Sequence, residues 1–507
     1  MESKDNGLIL SIDLGTSNLK GAVYDINGKE IAYNSIEYNL YTPTNSIVEN
    51  NVNNYWNSIK KILKNLVTQL GTLSKNILVI GTSSQGETIV PINKEGNPLR
   101  NAIVWIDTRS TKEADEIRNN FNIEKMYKKT GYANVEPSWP ATRILWIKKN
   151  EPEIFSNTYK FLLLEDFIIY KLTGKFFGEA SVYSSSYYYD IVNFNFIEPI
   201  LDFIGINKTK LPEILKPGSF VGKISKEVAK ETGLTPEVKV VIGAMDQICG
   251  AIGAGNINPG TATETTGSAF VMVVTIDQPI FNNVQKLPCT PHGIPGLYAL
   301  MPYSNTGGMV LKWFKDKFCK EESLEAEKTG KNVFKILDAM AEEVLPGSEG
   351  LVMLPFITGA FYPEFNPNAR GVFFDFGINH TKGHFIRAAL ESLGYMMRND
   401  IKALNKLGVR VAKVISIGGG ASSKLWSQIK ADICNIKIET PQYTETALLG
   451  SAIIAASAIG LFKDIAEASK NLYKVKEVFS PNKQNYEVYS DTYKKYTKLY
   501  SVLKELF

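Results

Sequence analysis

Short apolar runs separated by small polar turns dominate the first 110 residues of the chain. Leu8 to Ile12 form one such run, the polar stretch DLGTSN follows at 13–18, and apolar residues resume up to Tyr24. This pattern predicts two strands joined by a tight turn. Another apolar run, at 77–81, precedes the turn TSSQGET, and the stretches IVPIN and AIVWID predict two further short strands. Residues 111–180 have helical spacing instead, with prolines and capping residues between segments.

The second half of the chain repeats this organisation. Residues 238–255 predict a strand that runs into a helix of small residues, and 261–275 repeat the strand, Thr/Gly/Ser turn and strand of the N-terminus. The stretch from Ala412 to Ile438 predicts a strand, a glycine turn, a helix and a strand. We therefore predict an α/β fold of two related domains, residues 1–250 and 251–507.

Length and charge narrow the class of protein. A chain of 507 residues exceeds what one hydrophobic core usually serves, and the Gly- and Pro-rich stretch at 250–258 is the expected hinge between the two domains. With 56 basic and 52 acidic residues the formal charge is only +4, and no polybasic run occurs. Nucleic acid and anionic membranes are therefore not expected partners.

Other sequence features disfavour export and a multi-histidine metal site. The N-terminus lacks an apolar signal segment, and no apolar run reaches the roughly 18 residues of a membrane span. The four cysteines are scattered without disulfide or metal spacing, as expected for reduced thiols in a cytoplasmic protein. Only three histidines occur in the chain. We therefore expect a cytoplasmic protein.

Three polar turns share a chemistry that suits phosphate. The turns at 13–18 and 265–268 (TTGS) lie between apolar strands and offer backbone N–H groups together with hydroxyls. The third, SIGGGASSKLW at 416–426, places three glycines before a helix that Ser422 or Ser423 can cap. Each turn alone also fits an ordinary hairpin or helix cap. Together they indicate two related lobes that bind a nucleotide between them.

Two carboxylates stand where strands are expected to end. Asp13 ends a buried apolar run, where a cation or phosphate site explains an acid better than a hydrophobic core does. Asp246, in GAMDQICGA, lies where a strand meets a helix. A carboxylate there can take the proton of an alcohol during phosphoryl transfer, and a helix N-cap is the structural alternative.

The chain resembles the FGGY family of carbohydrate kinases from about residue 8 to about residue 460. The first family signature is similar to SWPATRILWIKKN at 138–150, with Arg143 where a Lys is usual. The second is similar to GVFFDFGINHTKGHFIRAALE at 371–391, with Asp375 where a Gly is usual. The resemblance implies the two-lobed α/β fold of the actin, hexokinase and heat-shock-70 ATPases, with duplicated ribonuclease H-like domains. It also implies ATP and Mg²⁺, and transfer of a phosphoryl group to a sugar or polyol.

The same resemblance assigns roles to individual residues. Asp246 would be the general base, and Asp13 would hold Mg²⁺ through water. The residues expected to bind ATP are Thr16, Ser17, Asn18, Thr266, Gly267, Ser268, Gly308, Gly419, Gly420 and Ser423. The residues expected to bind the substrate are Gln85, Gly86, Glu87, Trp105, Ser138, Asp246 and Gln247.

Similarity to glycerol kinase predicts the class of substrate. Glu87, Asp246 and Gln247 match residues that hold glycerol there. Gly86 and Ser138 stand where that enzyme has Arg and Tyr, so we expect a larger site and a longer polyol or a sugar. A ketopentose such as xylulose is the leading expectation. Another ketose, a tetritol or pentitol, glycerol and an aldonate remain open.

Segments 305–314 and 354–376 are similar to xylulokinase and gluconokinase. The stretch Gly359-Ala360-Phe361 departs from the usual Gly-Glu-Arg of these enzymes, which weakens any assignment of one sugar.

Two functions of another class remain open, namely an actin- or chaperone-like ATPase and a non-catalytic sugar sensor. The polar turns alone do not exclude the ATPase, but Glu87, Asp246 and Gln247 favour a small hydroxylated acceptor. The intact Asp13 and Asp246 argue against a non-catalytic sensor. Asp107 and Arg109 of WIDTR fit the acceptor motif and equally fit a structural ion pair. A homodimer is compatible with the resemblance, and the C-terminal segment predicts an amphipathic helix that packs on the second domain.

Overall fold

The computed structural model describes residues 6–360, 362 and 366–507, so Phe361 lies outside the described residues. The chain divides into two compact units. Unit 1 extends to Ile257 and also contains Asp277–Ala299 and Glu445–Tyr473, and unit 2 contains Asn258–Ile276, Leu300–Thr444 and Lys474–Phe507.

Strands occur throughout both units. In the first half of the chain they are β1 (Leu8–Leu14), β2 (Asn18–Asp25), β3 (Glu30–Glu37), β4 (Tyr41–Thr44), β5 (Ile47–Asn50), β6 (Ile77–Ser84), β7 (Ile89–Ile92), β8 (Ala102–Ile103), β9 (Lys160–Leu163), β10 (Phe177–Glu179), β11 (Tyr189–Asp190), β12 (Asn195–Phe196), β13 (Glu213–Leu215), β14 (Phe220–Lys223) and β15 (Lys239–Met245). In the second half they are β16 (Thr261–Thr266), β17 (Phe270–Ile276), β18 (Cys289–Pro291), β19 (Tyr298–Leu300), β20 (Tyr303–Ser304), β21 (Val352–Leu354), β22 (Val372–Phe374), β23 (Lys413–Ile417), β24 (Ile438–Pro441) and β25 (Val475–Phe479).

Helices separate and cover these strands. In the first half of the chain they are α1 (Val52–Leu70), α2 (Thr111–Asn120), α3 (Ile123–Thr130), α4 (Pro140–Asn150), α5 (Pro152–Asn157), α6 (Leu164–Thr173), α7 (Ala180–Tyr183), α8 (Glu198–Ile204), α9 (Lys226–Thr232) and α10 (Asp246–Gly253). In the second half they are α11 (Met309–Phe318), α12 (Lys320–Thr329), α13 (Val333–Glu342), α14 (Lys382–Lys406), α15 (Lys424–Cys434), α16 (Thr446–Ala458), α17 (Ile465–Leu472) and α18 (Lys483–Leu503).

The main sheet of unit 1 has the strand order β14-β15-β6-β1-β2-β3. Strand β1 runs antiparallel to β2 and parallel to β6, which runs parallel to β15. Because parallel strands end at the same edge, Asp13 on β1 lies beside Ser83 on β6, and Met245 on β15 lies beside Ser84. The strand–turn–strand predicted at the start of the chain is confirmed. Polar residues from β1 and β6 lie beside each other at this edge of the sheet.

Apolar side chains on both faces hold this sheet in place. Every residue of β1 is buried, and α1 buries Tyr55, Ile59 and Ile62 in the same core. Burying a side chain of this size contributes about 1.5–3 kcal/mol. The strand predicted at AIVWID is limited to Ala102–Ile103, because carbonyl groups beyond it accept bonds from a buried side chain instead.

Residues 445–473 belong to unit 1, although they follow most of unit 2 in the sequence. Close approach of glycine backbones explains this membership. A Cβ atom on Gly450 of α16 would lie 1.8 Å from the Cys249 carbonyl oxygen of α10, and one on Gly253 would lie 2.0 Å from the Thr446 carbonyl oxygen. The two helices pack at backbone distance, so the units differ from a simple division of the chain at residue 250.

Unit 2 repeats the arrangement of β1, β2 and β6. Strand β16 runs antiparallel to β17 and parallel to β23, and β24 and β25 extend the sheet. Helices α14, α15 and α18 share one core, in which α18 buries Tyr489, Tyr493, Tyr496 and Leu499. The predicted C-terminal amphipathic helix is therefore confirmed. None of the helices in the described part of the chain combines the length and apolar character needed to cross a membrane.

Candidate active site

Asp13 is the first acid of the sheet edge in unit 1. The residue is only 8% exposed, and its Oδ1 accepts a hydrogen bond of 2.7 Å from the Ser83 hydroxyl. Burial raises the pKa of Asp13, while Ser83 and the charge of Lys20 oppose that rise. Lys20 lies opposite Asp13 on β2, but its Nζ binds Glu445 at 2.6 Å. The Asp13 carboxylate thus lies near a cation without forming an ion pair with it.

The turn after Asp13 is held by two residues that the sequence assigned to the substrate. The indole Nε1 of Trp105 donates to the Thr16 hydroxyl at 2.7 Å, and the Gln85 amide donates to the Gly15 carbonyl at 3.3 Å. Ser17 of this turn is exposed, and Asn18, the first residue of β2, is half-buried. Trp105 and Gln85 therefore hold the turn that carries the hydroxyls predicted to contact phosphate.

Glu87 lies just beyond the end of β6 in an unusual backbone conformation. Its φ is +57°, in the left-handed region that costs a residue with a Cβ atom about 1–2 kcal/mol. Burial raises the pKa of its carboxyl, while Ser185 and the charge of Arg143 oppose the rise. A Cβ atom on the preceding Gly86 would meet the Ser185 hydroxyl at 3.5 Å and the Met245 sulfur at 3.9 Å. Both are ordinary contact distances, so a side chain would fit at Gly86, and Ser185 and Met245 border the space it would enter.

Asp246 and Gln247 are the first two residues of α10, and Met245 is its N-cap. The structural alternative of Asp246 as the N-cap is therefore wrong by one position. Its Oδ1 accepts a hydrogen bond of 2.6 Å from the Gln247 N–H. Burial, together with the negative charges of Asp13 and Glu87, raises the pKa of Asp246 to about 7. A carboxyl with such a pKa can bind and release a proton near neutral pH, as a general base must.

Two further sequence predictions concern the surroundings of this cluster. Ser138 is half-buried in the turn before α4, and its contact with substrate stays a prediction. Arg109 binds Asp107 at 2.7 Å and Glu49 at 2.8 Å, which fits the structural ion pair considered for WIDTR. The ion pair fixes the loop that carries Trp105.

The residues of the cluster fit a hydrated magnesium ion. In the described part of the chain no group of three or more His, Cys, Asp or Glu side chains could hold a metal ion. A metal at Asp13 would therefore take its other ligands from water and phosphate oxygens, and Mg²⁺ is usually bound in this way in kinase sites. The hard, largely buried carboxylate of Asp13 suits such an ion.

Unit 2 contains a cavity of about 350 Å³ beside the second polar turn. All seven residues of unit 2 that the sequence assigned to ATP line it, namely Thr266, Gly267, Ser268, Gly308, Gly419, Gly420 and Ser423. The Ser423 hydroxyl accepts a hydrogen bond of 3.1 Å from the Trp426 N–H, so the predicted cap of the helix after the glycine turn is confirmed. The structure thus brings two sequence motifs more than 150 residues apart into one cavity wall.

Four residues that line the same cavity were not identified from the sequence. They are Asn332, Phe334, Lys335 and Asp338, at the start of α13. The Lys335 ammonium donates to the Ser422 carbonyl at 3.2 Å, and burial raises the pKa of Asp338. These residues carry no motif; the amphipathic spacing of α13 indicates a helix and not a ligand site.

A buried ion pair lies directly behind Thr266. Lys430 binds Glu264 at 2.7 Å, and both side chains are fully buried. Lys430 also donates to the Thr266 hydroxyl at 2.9 Å, and Ser416 donates to the second Glu264 oxygen at 2.6 Å. This network holds the turn at 265–268, and no sequence pattern connects Lys430 with that turn.

Comparisons with known proteins agree with this arrangement. Residues 8–253 match the N-terminal domain, and residues 265–459 the C-terminal domain, of the FGGY family of carbohydrate kinases. A xylulose kinase from Staphylococcus epidermidis is 31% identical over 499 residues, which cover 98% of this chain and 97% of that protein. A gluconokinase from Bacillus subtilis is 30% identical over 460 residues, which cover 89% of this chain and 88% of that protein.

A solved structure of similar fold supports the same conclusion. The crystal structure of a ligand-bound xylulose kinase from Lactobacillus acidophilus superimposes with a TM-score of 0.89 at 25% identity, over 98% of both chains. The predicted fold of the actin- and hexokinase-like ATPases is thereby confirmed. The chain belongs to the FGGY family of carbohydrate kinases and is an ATP-dependent phosphotransferase of that family.

Proposed function

We propose that this kinase transfers the γ-phosphoryl group of ATP to a hydroxyl of a neutral sugar, with a ketopentose such as xylulose as the preferred acceptor. The xylulose kinases among its relatives support this choice, and the gluconokinase among them makes an aldonate the main competitor. The observation that carries the choice is the charge around Asp246.

The acids near Asp246 disfavour an anionic acceptor. Asp13 and Glu87 are the charged neighbours that affect the pKa of Asp246, and both are acidic. The carboxylate of an aldonate would add a negative charge to this half-buried group. Arg143 is the cation that acts on Glu87, but its guanidinium donates to backbone carbonyls. Neutral hydroxyls bind acidic side chains as donors without that repulsion.

Each residue of the cluster has a defined part in the proposed reaction. Asp246 accepts the proton of the attacking hydroxyl, and the Gln247 N–H holds its carboxylate in one orientation. Glu87 accepts a hydrogen bond from a second hydroxyl and so orients the sugar. In unit 2, the turn with Thr266 and Gly267 lines the cavity that would hold the phosphates of ATP. Asp13 would hold Mg²⁺ through water, and the ion would offset negative charge on the transferred phosphoryl group.

The direct test is the release of ADP from Mg-ATP, measured across D-xylulose, other ketoses, pentitols, glycerol and D-gluconate. We expect a much higher kcat/KM for one neutral ketose than for gluconate. Preference for gluconate would make the protein an aldonate kinase. ATP hydrolysis indifferent to every acceptor would support the ATPase or sensor alternatives.

The role of Asp246 is tested with Asp246→Asn. We expect kcat to fall by about 10³-fold or more, with ATP binding unchanged, because the amide cannot take the proton. Asp190→Asn is a matched control: Asp190 is a second aspartate of unit 1, and its buried carboxylate accepts N–H bonds from Val192 and Asn193. Retention of most turnover by Asp246→Asn would refute the assignment of the base.

A further inference from the structure

Arg143 of α4 is a fully buried cation whose partners are neutral. Its guanidinium donates to the carbonyl oxygens of Glu87 at 2.9 Å, Trp105 at 2.7 Å and Asp107 at 2.9 Å. A weaker contact reaches the Ile103 carbonyl at 3.5 Å. No carboxylate lies within ion-pair distance of it among the residues that the structure describes.

A buried charge of this kind requires an explanation. Removing a guanidinium from water costs several kcal/mol, on the order of the penalty for any buried ion, and carbonyl dipoles offset it only in part. Burial accordingly lowers the pKa of Arg143 to about 9. A methionine or leucine would fill the same helix position without that cost. Core stability therefore does not account for an arginine at this position. The geometry of its hydrogen bonds to the carbonyl oxygens is the property that an apolar residue would lack.

The carbonyls that Arg143 binds belong to two separate segments that carry acceptor-site residues. One is the turn after β6, where Glu87 has its positive φ, and the other is the loop from Trp105 to Asp107. The guanidinium is planar with donors in a fixed fork, so it defines the spacing of two backbones in a way that a flexible ammonium does not. The hydrogen bond from Arg143 to the Glu87 carbonyl stabilises the left-handed backbone conformation of Glu87, which sets the direction of the Glu87 carboxyl.

We propose that Arg143 is a positioning residue of the acceptor site, which fixes the backbones of Glu87 and Trp105 and thereby sets the affinity for the sugar. This inference rests on the proposed function for its effect on turnover. Arg143 contacts neither the carboxyl of Asp246 nor the cavity of unit 2 in the described contacts. Its substitution should therefore act on sugar binding and leave nucleotide binding unchanged.

The first test compares Arg143→Met with the wild-type protein. Methionine fills the helix position but makes none of the bonds to the Glu87 and Trp105 carbonyls, so we expect KM for the sugar to rise by on the order of tenfold, with KM for ATP within about twofold. Arg143→Lys carries the residue that is usual in the family signature and keeps the charge without the fork, so its KM for the sugar should lie between those of Arg143→Met and the wild type. Arg100→Lys is the matched control, since Arg100 is also largely buried but binds the carboxylates of Glu49 and Glu151.

A second measurement does not depend on turnover. Hydrogen exchange of the backbone amides in 85–88 and 104–108 should become at least about tenfold faster in Arg143→Met, with 416–426 of unit 2 unchanged. Equal changes in both KM values, or unchanged exchange in the two segments, would overturn the proposal. Wild-type protein without sugar-dependent turnover would instead overturn the proposed function, and the exchange data would still decide the role of Arg143.

Discussion

The two polar hairpins of the molecule, β1–β2 in unit 1 and β16–β17 in unit 2, share a pattern and differ in charge. In each, an acid near the end of the first strand accepts a bond from a serine on the neighbouring parallel strand. Ser83 donates to Asp13 at 2.7 Å, and Ser416 donates to Glu264 at 2.6 Å. The two hairpins thus share the same hydrogen bond between an acid on the first strand and a serine on the neighbouring strand.

The nearest cation distinguishes them. Glu264 forms a direct ion pair with Lys430, and both are fully buried. Asp13 has Lys20 opposite on the next strand, but Lys20 binds Glu445, which is partly exposed. The charge of Glu264 is satisfied inside the protein, whereas that of Asp13 is left available to a ligand. We propose that the partner of the nearest lysine distinguishes an acid that supports a turn, such as Glu264, from an acid available to a cation, such as Asp13.

The largest expected effect comes from Asp13→Asn. If Asp13 binds hydrated Mg²⁺, its loss should lower kcat by on the order of 10²–10³-fold, because the phosphate charge is no longer offset. Folding stability should not fall, since a buried charge is removed. The measurement is sugar phosphorylation as a function of Mg²⁺ concentration.

Glu264→Gln is the matched variant for Asp13→Asn in the other hairpin. Its amide oxygen can still accept from Lys430, so we expect turnover per folded molecule to fall by less than about tenfold. Similar losses of turnover in the two variants would contradict the proposal that Asp13 binds a cation whereas Glu264 supports a turn.

The next largest effect concerns folding. Lys430→Met leaves Glu264 buried without its cation, and we expect a loss of about 3–5 kcal/mol in the free energy of unfolding. The double variant Glu264→Gln/Lys430→Met should recover part of that loss, because no uncompensated charge remains. Urea unfolding of the single and double variants measures both values. A loss below about 1 kcal/mol for Lys430→Met would show that the pair does not support the turn.

Local motifs explain how much of the site could be predicted. The turn at 265–268, the glycine turn and the Ser423 cap are each specified by neighbouring residues, and the structure brings them to one cavity. The strand–turn–strand pattern likewise identifies the hairpins, because alternation and turn residues are local signals.

The remaining parts of the site depend on distant contacts. Lys430 lies 166 residues from Glu264, and Glu445 lies 425 residues from Lys20. No local pattern marks such pairs, since a charged residue on a helix usually faces solvent. Arg143 was visible only as a departure from a family motif, and its carbonyl partners become evident only when the two loops are folded beside α4. The partner of a buried side chain depends on the tertiary fold, whereas a turn is specified by residues that are neighbours in the sequence.

The third prediction tests the shared negative charge of unit 1. With its pKa raised to about 7, Asp246 is protonated below neutrality, so kcat/KM for the sugar should fall as pH decreases through about 7. Glu87→Gln removes one negative neighbour and therefore stabilises the Asp246 carboxylate. The acid limb of the pH profile should move to lower pH by up to about one unit. A limb that stays in place, or moves to higher pH, would contradict the electrostatic coupling of Glu87 and Asp246.

The smallest expected effect is that of Lys20→Met. The pair of Lys20 and Glu445 is partly exposed, with side-chain exposures of 21% and 30%, so its loss should cost less than about 1 kcal/mol of unfolding free energy. Lys20 lowers the pKa of Asp13, and without its positive charge the carboxylate should bind a proton, and likewise a cation, more readily. We expect the Mg²⁺ concentration for half-maximal activity to fall by about twofold. Lys60→Met removes a comparably exposed ion pair with Glu231 and should leave the Mg²⁺ dependence unchanged. A destabilisation as large as that expected for Lys430→Met would mean that Lys20 neutralises Asp13 as Lys430 neutralises Glu264.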